Sequence, residues 1–394
     1  MHSLTVRILD ANDYPVSRGE IFKIKSFSSS YNLDEIGTFN MSIPLSDYGS
    51  YIDFQRGFRI VVYEDHNEIF RGIIEQKRKN RSDYTVSGSD LLRELTYIET
   101  GADYSTNSTS LITAITSVIG LVDNWTILPI IADYPTLAEF QGKSVFNTIK
   151  ELLAQYGYHL RRKANTTRTL ECGSFGNASD VIFTNASRVT KGNVIKLIAS
   201  PEIIETHNEI VNRIIAYGGT YDNSGGSPTV LNMGEANIYP EYPMQSRVRG
   251  STEYYIEDTA SIALYGVRER VVPFTDIKPG NADFSTILNA SNSLKSRAVN
   301  FLTLHTYPQT AYTLTVKALN NLQVGDTAQI DFEDGVNTRI QGDFYVTQIS
   351  TSYSGERSYQ LQVSDIKRIA TTDIDLLTAS LSQLQTLMLR EIKV

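Results

Sequence analysis

The sequence predicts an α+β chain that is mostly β, with two β-barrel-like stretches separated by helical segments. Three observations carry this. Short apolar–polar alternations at period two recur over residues 1–98 and 201–368. Clusters of Gly, Asn, Asp and Ser punctuate them as turns. Tyrosine is abundant, with 23 residues against a single Trp, and its ring packs on half-buried strand faces while the hydroxyl stays wet.

Taken in order, Leu4–Leu9, Ile21–Ile24, Gly37–Ile43, Phe58–Tyr63 and Ile69–Ile74 read as short strands. Asp83–Gly88 reads as a sixth strand running into a short helix, capped by Ser89 or Asp90 and burying Leu91, Leu92 and Leu95. These define a first unit over 1–98. Residues 99–200 change character. Ser110–Gly120 and Ser144–Tyr156 carry helical apolar spacing, and Tyr158–Arg162 with Arg168–Cys172 reads as a hairpin, so this is an α+β unit. From 201 the strands return. Asn212–Tyr217 precedes a Gly-rich loop, Asp258 caps a helix stopped by Gly266, and Phe284–Leu304 reads as a longer helix. Strands over 311–317, 327–332, 344–350 and 359–363 follow. The expected division is a second β unit formed by 201–245 and 301–368, interrupted by a helical insert at 246–300.

The tail, 369–394, differs again. Ile374, Leu377, Leu381, Leu384 and Met388 are spaced as a coiled-coil seam. A helix this short does not hold alone in water. It forms either where subunits bring copies together or by folding back on its own domain.

Several chemistries are excluded by pattern. Net charge is 36 − 44 = −8, which opposes a broad nucleic-acid-gripping face. One Cys rules out an intrachain disulfide framework. No apolar run reaches the roughly 18 residues of a membrane-crossing helix, and no signal-peptide pattern opens the chain. Gly142-Lys143-Ser144 lacks the earlier glycine of a phosphate loop, since position 137 is Leu, so it reads as a helix start. The five His residues are scattered, without ligand spacing. Cys172 reads as a buried inert thiol, and Asp331, Glu333 and Asp334 as a solvated hairpin tip. The basic runs Lys77-Arg78-Lys79-Asn80-Arg81 and Arg161-Arg162-Lys163 read as solvated strand edges guarded against strand addition, with a subunit contact or a DNA-facing patch as the alternative. No catalytic, cofactor or metal residue is expected.

The order of these pieces resembles a family, the tail-hub or baseplate-hub proteins of long-tailed bacteriophages and related contractile injection systems. The resemblance rests on Tyr84–Leu95 as a strand-to-helix signature and on Ser144-Val145-Phe146 followed by Tyr156-Gly157-Tyr158. Asn212–Gly218, Asp258–Gly266 and Val324-Gly325-Asp326 complete it. It implies a non-enzymatic homotrimer in which each chain supplies two tail-tube-like β-barrel domains, so that three chains match a hexameric tube. It also implies a place in the virion at the tail tip. The implied partners are a distal tail protein ring, the tape-measure protein and a tip fibre or spike, with genomic DNA crossing the lumen unbound and no membrane insertion. The seam residues Ile374, Leu377, Leu381, Leu384 and Met388 would then meet on the threefold axis. Other readings are the hub of a contractile injection or pyocin-like particle, a glycan-degrading enzyme using carboxylates such as Asp331 and Glu333, and a receptor-binding adhesin.

Overall fold

A computed structural model describes residues 4–365, apart from 17–19, 46–53, 65–66, 102–103, 106–108, 134, 137–138, 141, 155, 177, 186–192, 207–209, 224, 227, 250, 276, 320–321 and 336–338. The seam residues Ile374, Leu377, Leu381, Leu384 and Met388 lie outside the described residues.

The chain opens with six strands: β1 (Leu4–Leu9), β2 (Ser26–Asn32), β3 (Thr38–Pro44), β4 (Arg59–Glu64), β5 (Asn67–Lys79) and β6 (Asp83–Asp90). They pair in the order β1-β4-β5-β6-β3-β2, every pair antiparallel. Alternate residues point inward, so Val6, Phe27, Met41, Ile60, Phe70 and Val86 share one core. An isolated bridge, Val6↔Ile21, ties β1 to the chain entering β2. Asp90 ends β6 and caps a 3-10 turn, Leu91–Thr96, by accepting the Leu92 N–H at 3.0 Å.

A second core follows. Small pairs β7 (Tyr104–Ser105), β8 (Thr109–Ser110), β10 (Pro135–Thr136) and β11 (Glu139–Phe140) flank helices α1 (Leu111–Ile119) and α2 (Val145–Ala154). A three-stranded sheet places β13 (Thr169–Gly173) between β12 (His159–Arg162) and β9 (Thr126–Ile130). Val145, Ile149 and Leu152 meet Leu91, Leu92 and Leu95 here, so the 3-10 turn plugs this unit. Gly157 follows α2 at φ +69°, where a Cβ would be strained.

The chain then runs through β14 (Ala178–Thr184), β15 (Asn193–Lys196) and β16 (Glu202–Thr206). These join the large sheet rather than the α+β sheet they follow in sequence.

Next come β17 (Arg213–Asp222), β18 (Pro228–Asn232), β19 (Gln245–Arg249), β20 (Ser251–Glu257), α3 (Thr259–Tyr265), β21 (Glu269–Phe274) and α4 (Phe284–His305). Their strands form a separate five-stranded sheet. The expectation that 201–245 pairs with 301–368 differs from this arrangement for β17 and β18. The reason is packing: Ile214, Ala216 and Leu231 share a core with Ala290, Leu294 and Leu302 of α4. Asn212 locks the entry, its Nδ2 donating to Gly266 O at 2.7 Å and its Oδ1 accepting from Arg268 N at 2.7 Å.

The last strands are β22 (Gln309–Val316), β23 (Thr327–Glu333), β24 (Arg339–Ser354) and β25 (Glu356–Ser364). With β14, β15 and β16 they give the neighbour order β14-β23-β24-β25-β22-β16. Numbering strands by chain order within each set, β15 and β16 count as one split second strand. Both sets then read 1-4-5-6-3-2. The second strand is split in both. Its first part faces strand 1 (Ile21 to Val6; β15 to β14), and its second part faces strand 3 (β2 to β3; β16 to β22). Each set is open as a sheet, with the split strand spanning the gap. One strand departs: β14 runs parallel to β23, whereas β1 runs antiparallel to β4.

The two sets also share a bulge. It falls between Ile74 and Gln76 in β5 and between Val346 and Gln348 in β24. Superposing the bulges makes Tyr84, Ser89 and Asp90 equivalent to Tyr359, Ser364 and Asp365.

Candidate functional site

The junction between the two sets is the feature that the rest of the molecule supports. β24 is long enough for three neighbours. At Tyr345 it has partners in both β23 and β25, so these lie on opposite sides. Over 348–353 it pairs with β25 and with β2. β2 and β23 therefore sit end to end along one side of β24, and β2 carries β3 on its other side. The register runs from Phe27↔Tyr353 to Asn32↔Gln348. Serines make the seam close and polar: Gln348 Nε2 donates to Ser30 Oγ at 3.0 Å.

Ion pairs clamp the three neighbouring units together. Glu94, on the 3-10 turn, accepts from Arg59 Nε (2.9 Å), Arg168 Nε (2.7 Å) and Trp125 Nε1 (3.0 Å). Burial opposes the Glu94 charge, but its hydrogen bonds from Arg168 and Arg59 outweigh that and hold the carboxyl below the ordinary range. Arg168 also pairs with Asp13 at 2.5 Å. Arg161 donates to Glu171 (2.8 Å), to Asp326 (2.8 Å) and to Val324 O (2.7 Å), and stacks over the Phe175 ring at 4.3 Å. Arg162 reaches Glu68 at 3.4 Å, and Arg357 pairs with Glu64 across the set boundary. His159 pairs with Asp34, whose Oδ1 also accepts the Leu160 N–H at 2.7 Å. Asp90 sits fully inside this region, where burial pushes its carboxyl up to about 7 against the pull of the Gly37 backbone contact and Arg162. Burial likewise pushes the Tyr31 hydroxyl up to about 12.

Arg161 and Arg162 are thus not the solvated edge that the charge of their run suggested, whereas the Lys163 side chain is 42% exposed. The Arg161 and Arg162 side chains leave only 11% and 7% exposed, because carboxylates of three different elements converge on them. The run Lys77-Arg78-Lys79-Asn80-Arg81 is exposed, as expected. Sequence reading missed Glu94, Arg59 and Arg168 altogether; a lone charge within an apolar stretch, such as Glu94 among leucines, was the available signal.

Other singled-out residues are accounted for locally. Cys172 is buried, and burial pushes its thiol up. Lys143 pairs with Glu151 at 2.6 Å, and Ser144 Oγ accepts the Asn147 N–H at the start of α2. Asp331 and Glu333 are exposed on the outer face of β23. Among the described residues no His, Cys, Asp and Glu cluster could hold a metal ion, and no helix is long and apolar enough to cross a membrane. A polar groove of about 510 Å³ is lined by Asp13, Tyr14, Asn124 and Arg168, beside the Glu94 cluster.

No protein-family model and no curated protein matches the chain. Solved structures do. A tail protein from Neisseria meningitidis MC58 superposes with a TM-score of 0.61 at 12% identity, covering 92% of this chain and 96% of that one. The 43 kDa tail protein of prophage MuSo2 from Shewanella oneidensis gives 0.60 at 11% identity, covering 92% and 98%. Prophage tail protein gp18 from Listeria monocytogenes EGD-e gives 0.58 at 14% identity, covering 96% and 99%. The chain has the fold of phage tail proteins over nearly its whole length.

Proposed function

We propose that this protein is a structural, non-enzymatic hub of a phage tail tip or baseplate that assembles as a homotrimer. One observation carries the reading: a single chain holds two six-strand sets of one pairing order, already joined edge to edge through β2 and β24. Three such chains supply six wall elements, which matches a threefold tip to a sixfold tube. Each set, its gap spanned by the split second strand, acts as a tube-like wall element. The units around α1–α2 and around α4 decorate the outside, so 178–206 with 309–365 forms the second barrel and 213–305 the insert. The partners are the distal tail protein ring, the tape-measure protein and a tip fibre or spike. The seam Ile374, Leu377, Leu381, Leu384 and Met388 gathers on the threefold axis. A net charge of −8 per chain suits a lumen that repels DNA phosphates during ejection.

Light scattering of the purified chain across concentration, alone and with its tube-ring partner, tests this. A trimer or a ring is expected. A chain that stays monomeric and forms no ring with the partner overturns it.

A further inference from the structure

The internal junction joins two strands whose equivalents elsewhere in the chain, β16 and β5, are not joined to each other. Within the chain, the second strand of set one (β2) docks on the fifth strand of set two (β24). The second strand of set two is β16, and it pairs only with β22. Its other side has no strand partner among the described residues. Each face of that edge shows an exposed isoleucine: Ile203 is 45% and Ile204 40% exposed, with Ile198 at 49%. An exposed strand edge of this kind invites pairing with another chain. The fifth strand of set one is β5. Beyond Ile74 it has β6 on one side and no described strand on the other, and Gln76–Lys79 is exposed.

We propose that β16 of one copy adds to the Gln76–Lys79 edge of β5 in the next copy, head to tail, repeating the β2–β24 junction between chains. This rests on the trimeric reading above and gives it a register. Strand equivalences follow from the shared bulge and the ladders of strands 3 and 6. Carried through the β2–β24 ladder, they set Thr206 opposite Gln76, Glu205 opposite Lys77, Ile204 opposite Arg78 and Ile203 opposite Lys79. Charge agrees with this placement independently. The donor strand is Glu202-Ile203-Ile204-Glu205 and the acceptor Lys77-Arg78-Lys79, so this register sets position 205 opposite Lys77 and position 202 diagonal to Arg78. Opposite charges at such cross-strand positions stabilise a ladder, and like charges disfavour it. Each copy has one donor and one acceptor, a heterologous contact that closes when three copies meet.

The experiment coexpresses two differently tagged chains, one carrying Ile203→Cys and the other Lys79→Cys, and oxidises the purified assembly. A mixed-tag disulfide dimer is expected on a non-reducing gel, and far less of it when Lys77→Cys replaces Lys79→Cys. Separately, Lys77→Glu with Arg78→Glu should weaken self-association about tenfold or more, with recovery when Glu202→Lys and Glu205→Lys are added. An assembled trimer that shows neither the Ile203–Lys79 cross-link nor the charge effect overturns this register while leaving the trimer standing. A chain monomeric at its highest soluble concentration, alone and with the tube partner, and without cross-link, overturns both.

Discussion

The two six-strand sets solve the same folding problem with different surroundings. In set one the second strand, β2, is covered on both sides, and its serines pack closely against β24. In set two the equivalent strand, β16, has a strand partner on one side only among the described residues and carries isoleucines where β2 carries serines. Equivalent backbone therefore does not bring equivalent chemistry. A seam fixed inside one chain needs only complementary hydrogen bonding, because the covalent link already holds the partners near. A seam between separate chains must overcome lost translational freedom as well, and apolar side chains with flanking charge supply that extra drive.

The largest expected effect is at the clamp that holds set one to its neighbours. Glu94→Ala leaves Arg59 and Arg168 buried without their shared carboxylate, and should cost about 3–5 kcal/mol in urea unfolding. An effect no larger than a surface substitution would show that the arginines find other partners. Core truncations come next. Met41 and Leu314 are equivalent and both fully buried, so Met41→Ala and Leu314→Ala should each cost about 2–5 kcal/mol. Differential scanning calorimetry would reveal whether the two sets melt together or separately. A further test is Asp258→Ala. It removes the acceptor of the Ser261 N–H at 2.8 Å, outside both sets, and should cost about 1 kcal/mol without changing either set's melting cooperativity.

The last comparison concerns pH. Asp90 is raised in the folded state, so its contribution to stability is complete below the ordinary carboxylate pKa and is lost as pH rises toward about 7. Asp90→Asn keeps an oxygen for the Leu92 N–H and removes the titration. Its stability, followed by urea midpoints across that window, should fall less with rising pH than that of the parent. Glu94 has the reverse sign, since its depressed pKa gives stability that is lost as pH falls through the folded-state pKa.

Much of the local structure was legible. The apolar spacing of Val145, Ile149 and Leu152 and the Asp283-flanked stripe of α4 specify helices whatever surrounds them. Asp258 announced its cap, and Asp90 was one of two candidates, with Ser89, for the other. Long-range pairing was not legible. β14 follows the α+β unit in sequence but pairs in parallel with β23, far along the chain, while β15 pairs in parallel with β14, and parallel partners leave no turn signal between them. The doubling was half visible, as two β-barrel-like stretches. Its exact correspondence depends on a bulge and a register, marked by identical side chains at Gln76, Tyr84, Ser89 and Asp90 against Gln348, Tyr359, Ser364 and Asp365. The buried arginines were misread because charge runs usually face water, and only tertiary convergence of carboxylates reverses that.

The unit built on α4 enters and leaves the large sheet through neighbouring positions, since Thr206 pairs with Gln309. In set one the same place is filled by the short turn between Asn32 and Thr38. The whole of 207–308 thus occupies a hairpin loop. Such an attachment lets evolution enlarge, trade or discard an outer module while the wall behind it keeps every rung of its ladder.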